Sequence, residues 1–217
     1  AGGASGALPP VADRLPERED VMVVRPREAI GSYGGTIRYN ATNPQSFGNI
    51  GFSAWDAHLA GFTTNWEIVY PDIARSIELA EDNLSATVTL RKGLKWSDGQ
   101  PVTADDILFY FNDIGGQGDL PPLPGNFIID GEPTTVEKLD DHTVVFRFPA
   151  PNPAFILNVA RAEAGFPLAP KHYLQTWHKD YNPEAESLAQ QEGFSSWVDA
   201  FVSHQNGQTG DFQVDPD

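Results

Sequence analysis

Two adjacent carboxylates, Asp105 and Asp106, and five histidines at 58, 142, 172, 178 and 204 are the side chains best suited to acid–base or metal chemistry in this sequence. Neighbouring positions on a helix point about 100° apart, so Asp105 and Asp106 do not share one proton as a catalytic dyad. They follow Thr103 in the order Thr-x-x-Asp, which marks a helix start. The threonine caps the N-terminus, Asp106 reaches back to it, and both charges sit at the positive end of the helix dipole. No pair of histidines brackets a glutamate at helical spacing, and cysteine is absent. No metal, disulfide or thiolate nucleophile is therefore expected. Neither a Gly-x-Ser-x-Gly elbow nor a Gly-x-x-x-x-Gly-Lys loop occurs, and the glycine-rich pieces at 31–35 and 115–118 read as turns. The sequence thus offers no catalytic residue and no cofactor site.

Aromatic residues give a better lead. Phe47, Trp55, Trp66 and Tyr70 fall in or near loops. They either pack a subdomain core or wall a cleft for an apolar or sugar-like ligand, and both readings stand at this point.

The elements that position these residues follow from local patterns. The stretch 1–32 is rich in Gly, Ala and Pro and reads as an extended arm. It lacks the basic and apolar regions of a signal peptide and is compatible with a mature end left by cleavage. Thr36 to Asn40 reads as a strand, followed by loop chemistry from Thr42 to Ser46. Trp55, Leu59 and Phe62 are spaced for one side of a short helix. Residues 74–80 and 86–91 alternate as a hairpin about Glu81-Asp82-Asn83, with Val88 and Leu90 on one face. Lys92-Gly93 and Trp96-Ser97-Asp98-Gly99 turn, and the capped helix runs from Thr103 through Asn112 to Gly115-Gly116. A long irregular loop covers 117–127. A second hairpin, 136–139 with 143–148, surrounds Asp140-Asp141-His142. Helices are expected from Pro153 to Ala160, after Pro170, from Asn182 to Gly193, and over a last apolar face of Trp197, Val198, Phe201 and Val202.

Composition narrows the function classes. A length of 217 residues suits one domain plus a subdomain and supports a sizeable core. Fourteen basic against thirty acidic residues give a net charge of −16, a field that repels nucleic acid and anionic membrane surfaces. No apolar run is long enough to span a bilayer. The lack of cysteine fits an oxidising compartment.

One long stretch carries a family resemblance. Pro71-Asp72-Ile73-Ala74-Arg75-Ser76, followed by Val88 through Ile107 with its Lys92-Gly93 turn, Trp96-Ser97-Asp98-Gly99 turn and capping box, is similar to the signature of the family 5 extracellular solute-binding proteins. These are the dipeptide and oligopeptide receptors of bacterial ABC importers. Tyr33 to Arg38 resembles their first strand, Leu139 to Phe146 their second hairpin, and Ala169-Pro170-Lys171-His172-Tyr173 the segment that re-enters the first lobe. The resemblance implies an α/β fold with a mixed sheet, part of a periplasmic-binding-protein type II-like two-lobed architecture. This chain would supply lobe one and its extra subdomain. The second lobe would lie outside it, in a second chain or a missing segment. The implied division is an arm over 1–32, the start of lobe one over 33–66, an extra subdomain with two hairpins over 67–150, and a return into lobe one over 151–217.

The function so implied is capture of a small solute, foremost a peptide, in the periplasm or outside the cell and delivery to a membrane permease. Attachment to the outer face of the cytoplasmic membrane is compatible with it. Oligosaccharides, opine-like conjugates and metal chelates are alternative ligands. A carboxylate-dependent hydrolase and an interaction module docking through exposed aromatics are the rivals from other classes. Ligands of open α/β sheets sit beyond the strand ends. The expected ligand-binding residues are therefore Asn40, Asn43, Gln45 and Phe47 after the first strand, with Leu120 and Asn126 at the cleft mouth. Turn residues satisfying their own backbone would look the same.

Overall fold

A computed structural model describes residues 18–21, 23, 29, 32, 34–36, 58–62, 69–116, 118–160 and 167–205. Its centre is a four-stranded antiparallel sheet made from two hairpins. Strands β1 (Ala60–Phe62) and β2 (Val69–Pro71) pair just before it. Strands β3 (Ala74–Leu79) and β4 (Ser85–Leu90) form the first hairpin of the sheet. The short ribbon β5 (Ile128–Ile129) with β6 (Glu132–Pro133) stands apart. Strands β7 (Thr135–Asp140) and β8 (Thr143–Arg147) complete the sheet in the order β3-β4-β8-β7. Every strand pair among the described residues is antiparallel, so the expected mixed sheet shows no parallel pair there. The reason is connection length. Tight turns join β3 to β4 and β7 to β8, whereas parallel neighbours need a crossover of a dozen or more residues.

Each hairpin is closed by its own turn chemistry. Asn83 adopts a positive φ of 59°, and the Leu84 amide donates to Asp82 Oδ1 at 3.0 Å. Asn and Asp tolerate this region and mimic a backbone turn. In the second hairpin the His142 amide donates to Asp140 Oδ1 at 2.8 Å. Strand β4 alternates as its sequence demands, with Ala86, Val88 and Leu90 buried.

Leu59 and Phe62 do not lie on a helix as their spacing suggests. Phe62 ends strand β1, and Leu59 precedes it, fully buried. Gly61 sits opposite Tyr70. A Cβ at Gly61 would meet the tip of the Tyr70 ring at 2.8 Å, so glycine lets that ring lie over the strand, and pairing with β2 overrides the helical spacing. Trp55 and residues 37–40 of the expected first strand lie outside the described residues.

Helix α1 (Ala104–Leu108) runs directly into a π-helical turn, Phe109–Ile114. The Gly115 amide closes it on the Tyr110 carbonyl at 3.0 Å, an i→i−5 bond. This continuous rod feeds two cores. Ile107 and Phe111, four residues apart, face the sheet and join the cluster of Val88, Phe146 and Phe155. Phe109 and Ile114, five apart as π geometry places them, face the other way and join Leu174, Trp177, Trp197 and Phe201.

Helix α2 (Phe155–Asn158) still packs on the sheet side, and the second core is closed by α3 (Lys171–Leu174), α4 (Ala185–Gln191) and α5 (Trp197–Gln205). Asn182 Oδ1 accepts from the Glu184 amide at 3.0 Å in the turn before α4; the helix itself begins at Ala185 with Glu184 at the cap position, two residues later than the Asn-Pro-Glu order suggests. Gly193, at φ 89°, ends it. Glu186 Oε2 on α4 accepts the Trp197 amide at 2.9 Å, so one helix caps the next. Inside this core His178 is fully buried and satisfied, bridging the Asp113 carbonyl at 3.1 Å and the Asp180 amide at 3.2 Å.

Candidate functional site

The Trp-Ser-Asp-Gly turn, the start of α1 and the segment before α3 converge on one side chain. Asp106 is 3% exposed. Its Oδ2 accepts from the Thr103 amide at 2.9 Å and from Trp96 Nε1 at 3.2 Å. Its Oδ1 accepts from the Lys171 amide at 3.0 Å, and its own carbonyl accepts from the Ala169 amide at 3.2 Å. The capping box is formed, and the same carboxylate also binds the chain returning from 65 residues away. The turn is held in register by the Trp96 amide on the Gln100 carbonyl at 2.8 Å, with Gly99 at φ 89°.

Beside Asp106 lies a hollow of about 260 Å³, with Gln100, Thr103, Asp105, Lys171, His172 and Gln175 among the residues that line it. The acidic groups of this hollow and its rim are already engaged. His172 Nε2 pairs with Asp98 Oδ2 at 2.7 Å. Lys138 Nζ bridges Asp105 Oδ2 at 3.0 Å and Asp141 Oδ1 at 2.9 Å. Partial burial opposes ionisation of Asp98, but the Gln100 amide and the His172 imidazole outweigh it and hold its carboxyl below the ordinary value. Lys138 is held above its ordinary value by its hydrogen bonds to Asp141 and Asp105. No serine or cysteine nucleophile lines this hollow, and no cluster of three or more metal-ligating side chains occurs among the described residues.

A second hollow of about 220 Å³ opens beside the π-helical turn. Tyr110, Ile114, Pro121, Pro122, Leu123 and Val202 are among its walls. Burial pushes the Tyr110 phenol above its ordinary range. Gly115 is needed here, because a Cβ on it would collide with Leu123 Cδ2.

The expected ligand-binding residues divide into two groups. Asn40, Asn43, Gln45 and Phe47 lie outside the described residues. Leu120 is 5% exposed and packs into the second core. The residues that follow it are prolines with no amide to bury, which leaves an apolar residue there free to turn inward. Asn126 is half-buried in the 3-10 turn Gly125–Phe127. Between these two, Pro121 to Pro124 do line a hollow, together with Tyr110 and Val202, which sequence reasoning did not single out. The available signal was the proline run itself, a stiff extended wall facing an aromatic helix.

Residues 69–199 match the family model described as bacterial extracellular solute-binding proteins, family 5 Middle. The chain belongs to that family. It is 33% identical over 198 residues to a periplasmic alpha-galactoside-binding protein of Rhizobium meliloti, covering 82% of this chain and 28% of that one. Among solved structures it is similar to an oligopeptide-binding protein, OppA, with 38% identity and a TM-score of 0.77, covering 93% of this chain and 31% of that one. It is also similar to the periplasmic binding protein MelB of Agrobacterium fabrum C58, solved with stachyose, with 29% identity, a TM-score of 0.59, and 83% and 30% of the two chains covered. The chain thus spans under a third of the length of each of these relatives. Its fold is part of a type II periplasmic-binding-protein architecture, as the resemblance implied.

Proposed function

We propose that this chain is part of the extracytoplasmic solute-binding component of an ABC importer, which captures a small solute, foremost a peptide, by hinge closure and passes it to the membrane permease. The observation that carries this reading is the match to OppA over 93% of the chain at a TM-score of 0.77. A receptor of this kind breaks no bond; it works by binding the closed state better than the open one. The commitment of Asp98, Asp105 and Asp106 to internal partners supports binding over carboxylate-dependent hydrolysis. The proposed place is the periplasm or the cell exterior, with or without attachment to the outer face of the cytoplasmic membrane. No described helix is long and apolar enough to cross a membrane.

In this reading the arm spans 1–32, lobe one starts over 33–66, the two-hairpin subdomain covers 67–150, and 151–217 returns to lobe one. Asn40, Asn43, Gln45 and Phe47 meet the ligand, with Leu120 and Asn126 at the cleft mouth. A second lobe, outside this chain, completes the cleft.

An oligosaccharide ligand is the second reading. It is favoured by the alpha-galactoside-binding relative and by the stachyose-bound neighbour. Mass spectrometry of solute released on denaturing the protein purified from its own cells separates the two. Peptides support the first reading and galactosides the second. Turnover of either compound by the folded protein overturns both.

A further inference from the structure

Asp20 is the one described residue of the N-terminal stretch that is buried, at 0% exposure, while its neighbours Arg18, Glu19 and Val21 are exposed. A carboxylate leaves water only where charge or N–H groups replace the lost hydration. Here the carboxylate has one hydrogen bond and one longer ion pair, its Oδ1 accepts no hydrogen bond from the described residues, and a third group holds the backbone of the same residue. The Lys92 amide donates to Asp20 Oδ2 at 3.1 Å. Arg75 Nη1 stands 3.6 Å from Asp20 Oδ1. Arg91 Nη1 donates to the Asp20 carbonyl at 3.1 Å. These partners lie more than 50 residues along the chain, on β3 and on the turn that follows β4.

Arg91 does more than hold the arm. Its Nε donates to the Asp72 carbonyl at 2.6 Å and its Nη2 to the Pro71 carbonyl at 3.4 Å. Asp72 Oδ2 in turn accepts from the His58 amide at 3.2 Å. One guanidinium therefore ties the Asp20 backbone, the end of β2 and the start of the sheet at a single point. The planar fork of arginine suits such multiple donation, whereas a lysine would satisfy only part of it.

We propose that the Lys92 amide and Arg75 hold the Asp20 carboxylate while Arg91 holds its backbone carbonyl, so that the short segment around Asp20 is a strap locking the joint between the β1–β2 hairpin and the four-stranded sheet. The strap acts at a boundary, since β1 and β2 precede the sheet and contribute no strand to it. This inference stands on geometry and does not depend on what the protein binds.

Amide hydrogen exchange of the whole 217-residue chain tests it, with Asp20→Ala and Arg75→Gln beside the natural sequence. In Asp20→Ala the amides of Lys92, Asp72 and Ile73 exchange faster by about tenfold or more, the scale of losing a charge-assisted hydrogen bond. Arg75→Gln moves the same three amides in the same direction by less. The β4–β8 ladder keeps its protection in both. Trypsin cleavage after Arg18 speeds up in parallel in Asp20→Ala. Unchanged exchange at Lys92, Asp72 and Ile73 overturns the strap. Equal acceleration throughout the sheet, or failure of Asp20→Ala to fold, also overturns it, because Asp20 would then support the whole fold and not one joint.

Discussion

The Lys171 amide donates to Asp106 Oδ1 at 3.0 Å, across 65 residues of intervening chain. The other carboxylate oxygen serves the Thr103 amide and the Trp96 indole. A residue that sequence marks as a helix cap is therefore also the knot between a turn, a helix and a returning segment. Asp106→Asn keeps the shape but replaces one acceptor oxygen with a donor facing a donor. Unsatisfying a buried, charge-assisted network of this size costs about 2–4 kcal/mol. The expected result is a lower urea midpoint with an unchanged m-value, and Asp106→Ala falls at least as far. An unaltered midpoint for Asp106→Asn refutes the shared role.

Gly115 presents the opposite situation, a residue needed for its lack of a side chain. Its φ of −70° is open to alanine, so backbone strain plays no part. The overlap between an added Cβ and the Leu123 methyl group decides the outcome. Gly115→Ala is expected to cost about 1–3 kcal/mol by overpacking. Leu123→Ala in the same chain recovers part of that loss relative to the sum of the two single changes, and a double-mutant cycle by denaturant unfolding reads the coupling.

The phenol of Tyr181 is pushed up to about 12, first by burial, then by its hydrogen bond to Asp113 and the charges of Asp113 and Asp180. A raised value means that the folded chain keeps this proton after the unfolded chain has lost it. The stabilisation is thus complete below the ordinary value of 10.0 and disappears as pH rises from there through about 12. Phenolate absorbance is expected to show one tyrosine titrating near pH 12. Asp113→Asn brings it back toward the ordinary range. A Tyr181 titration at its ordinary value in the natural sequence contradicts the contact.

Asp98 works in the other direction. Although burial opposes it, the Gln100 amide and His172 hold its carboxyl below the ordinary value of 3.8. Its contribution is present above that value and is lost as pH falls through the lower, folded one. Asp98→Asn is therefore expected to be less stable than the natural sequence near neutrality, with the gap narrowing in acid as the natural carboxylate takes up its proton. Denaturant unfolding of both proteins, followed from neutral pH down through the carboxylate range, checks the sign. A gap that stays constant over that range rules the contribution out.

Much of the architecture was legible because its signals are local. The alternation of Ala86, Val88 and Leu90 and the Asp82-Asn83 turn each fix a backbone state within a few residues and form as read, while the Asn182-Pro183-Glu184 turn forms but the helix after it starts only at Ala185. The Leu59 and Phe62 spacing misled because a three-residue strand takes its identity from its partner, Val69 to Pro71, and not from its own pattern. Leu120 was legible as apolar, but which side of a proline-stiffened loop it faces depends on where Phe109 and Phe201 stand.

The amino-acid order by itself determined the hairpins, the capped helix, the absence of cysteine chemistry and the family, because turns, caps and period-two patterns are settled among near neighbours. Tertiary structure alone decided that Asp106 binds the chain again at Lys171, that Arg91 gathers Asp20, Pro71 and Asp72, and that one rod with a π-helical end divides its faces between two cores. Those relationships join groups tens of residues apart. They exist only after loop closure has been offset by burial, and no short window of sequence contains both ends.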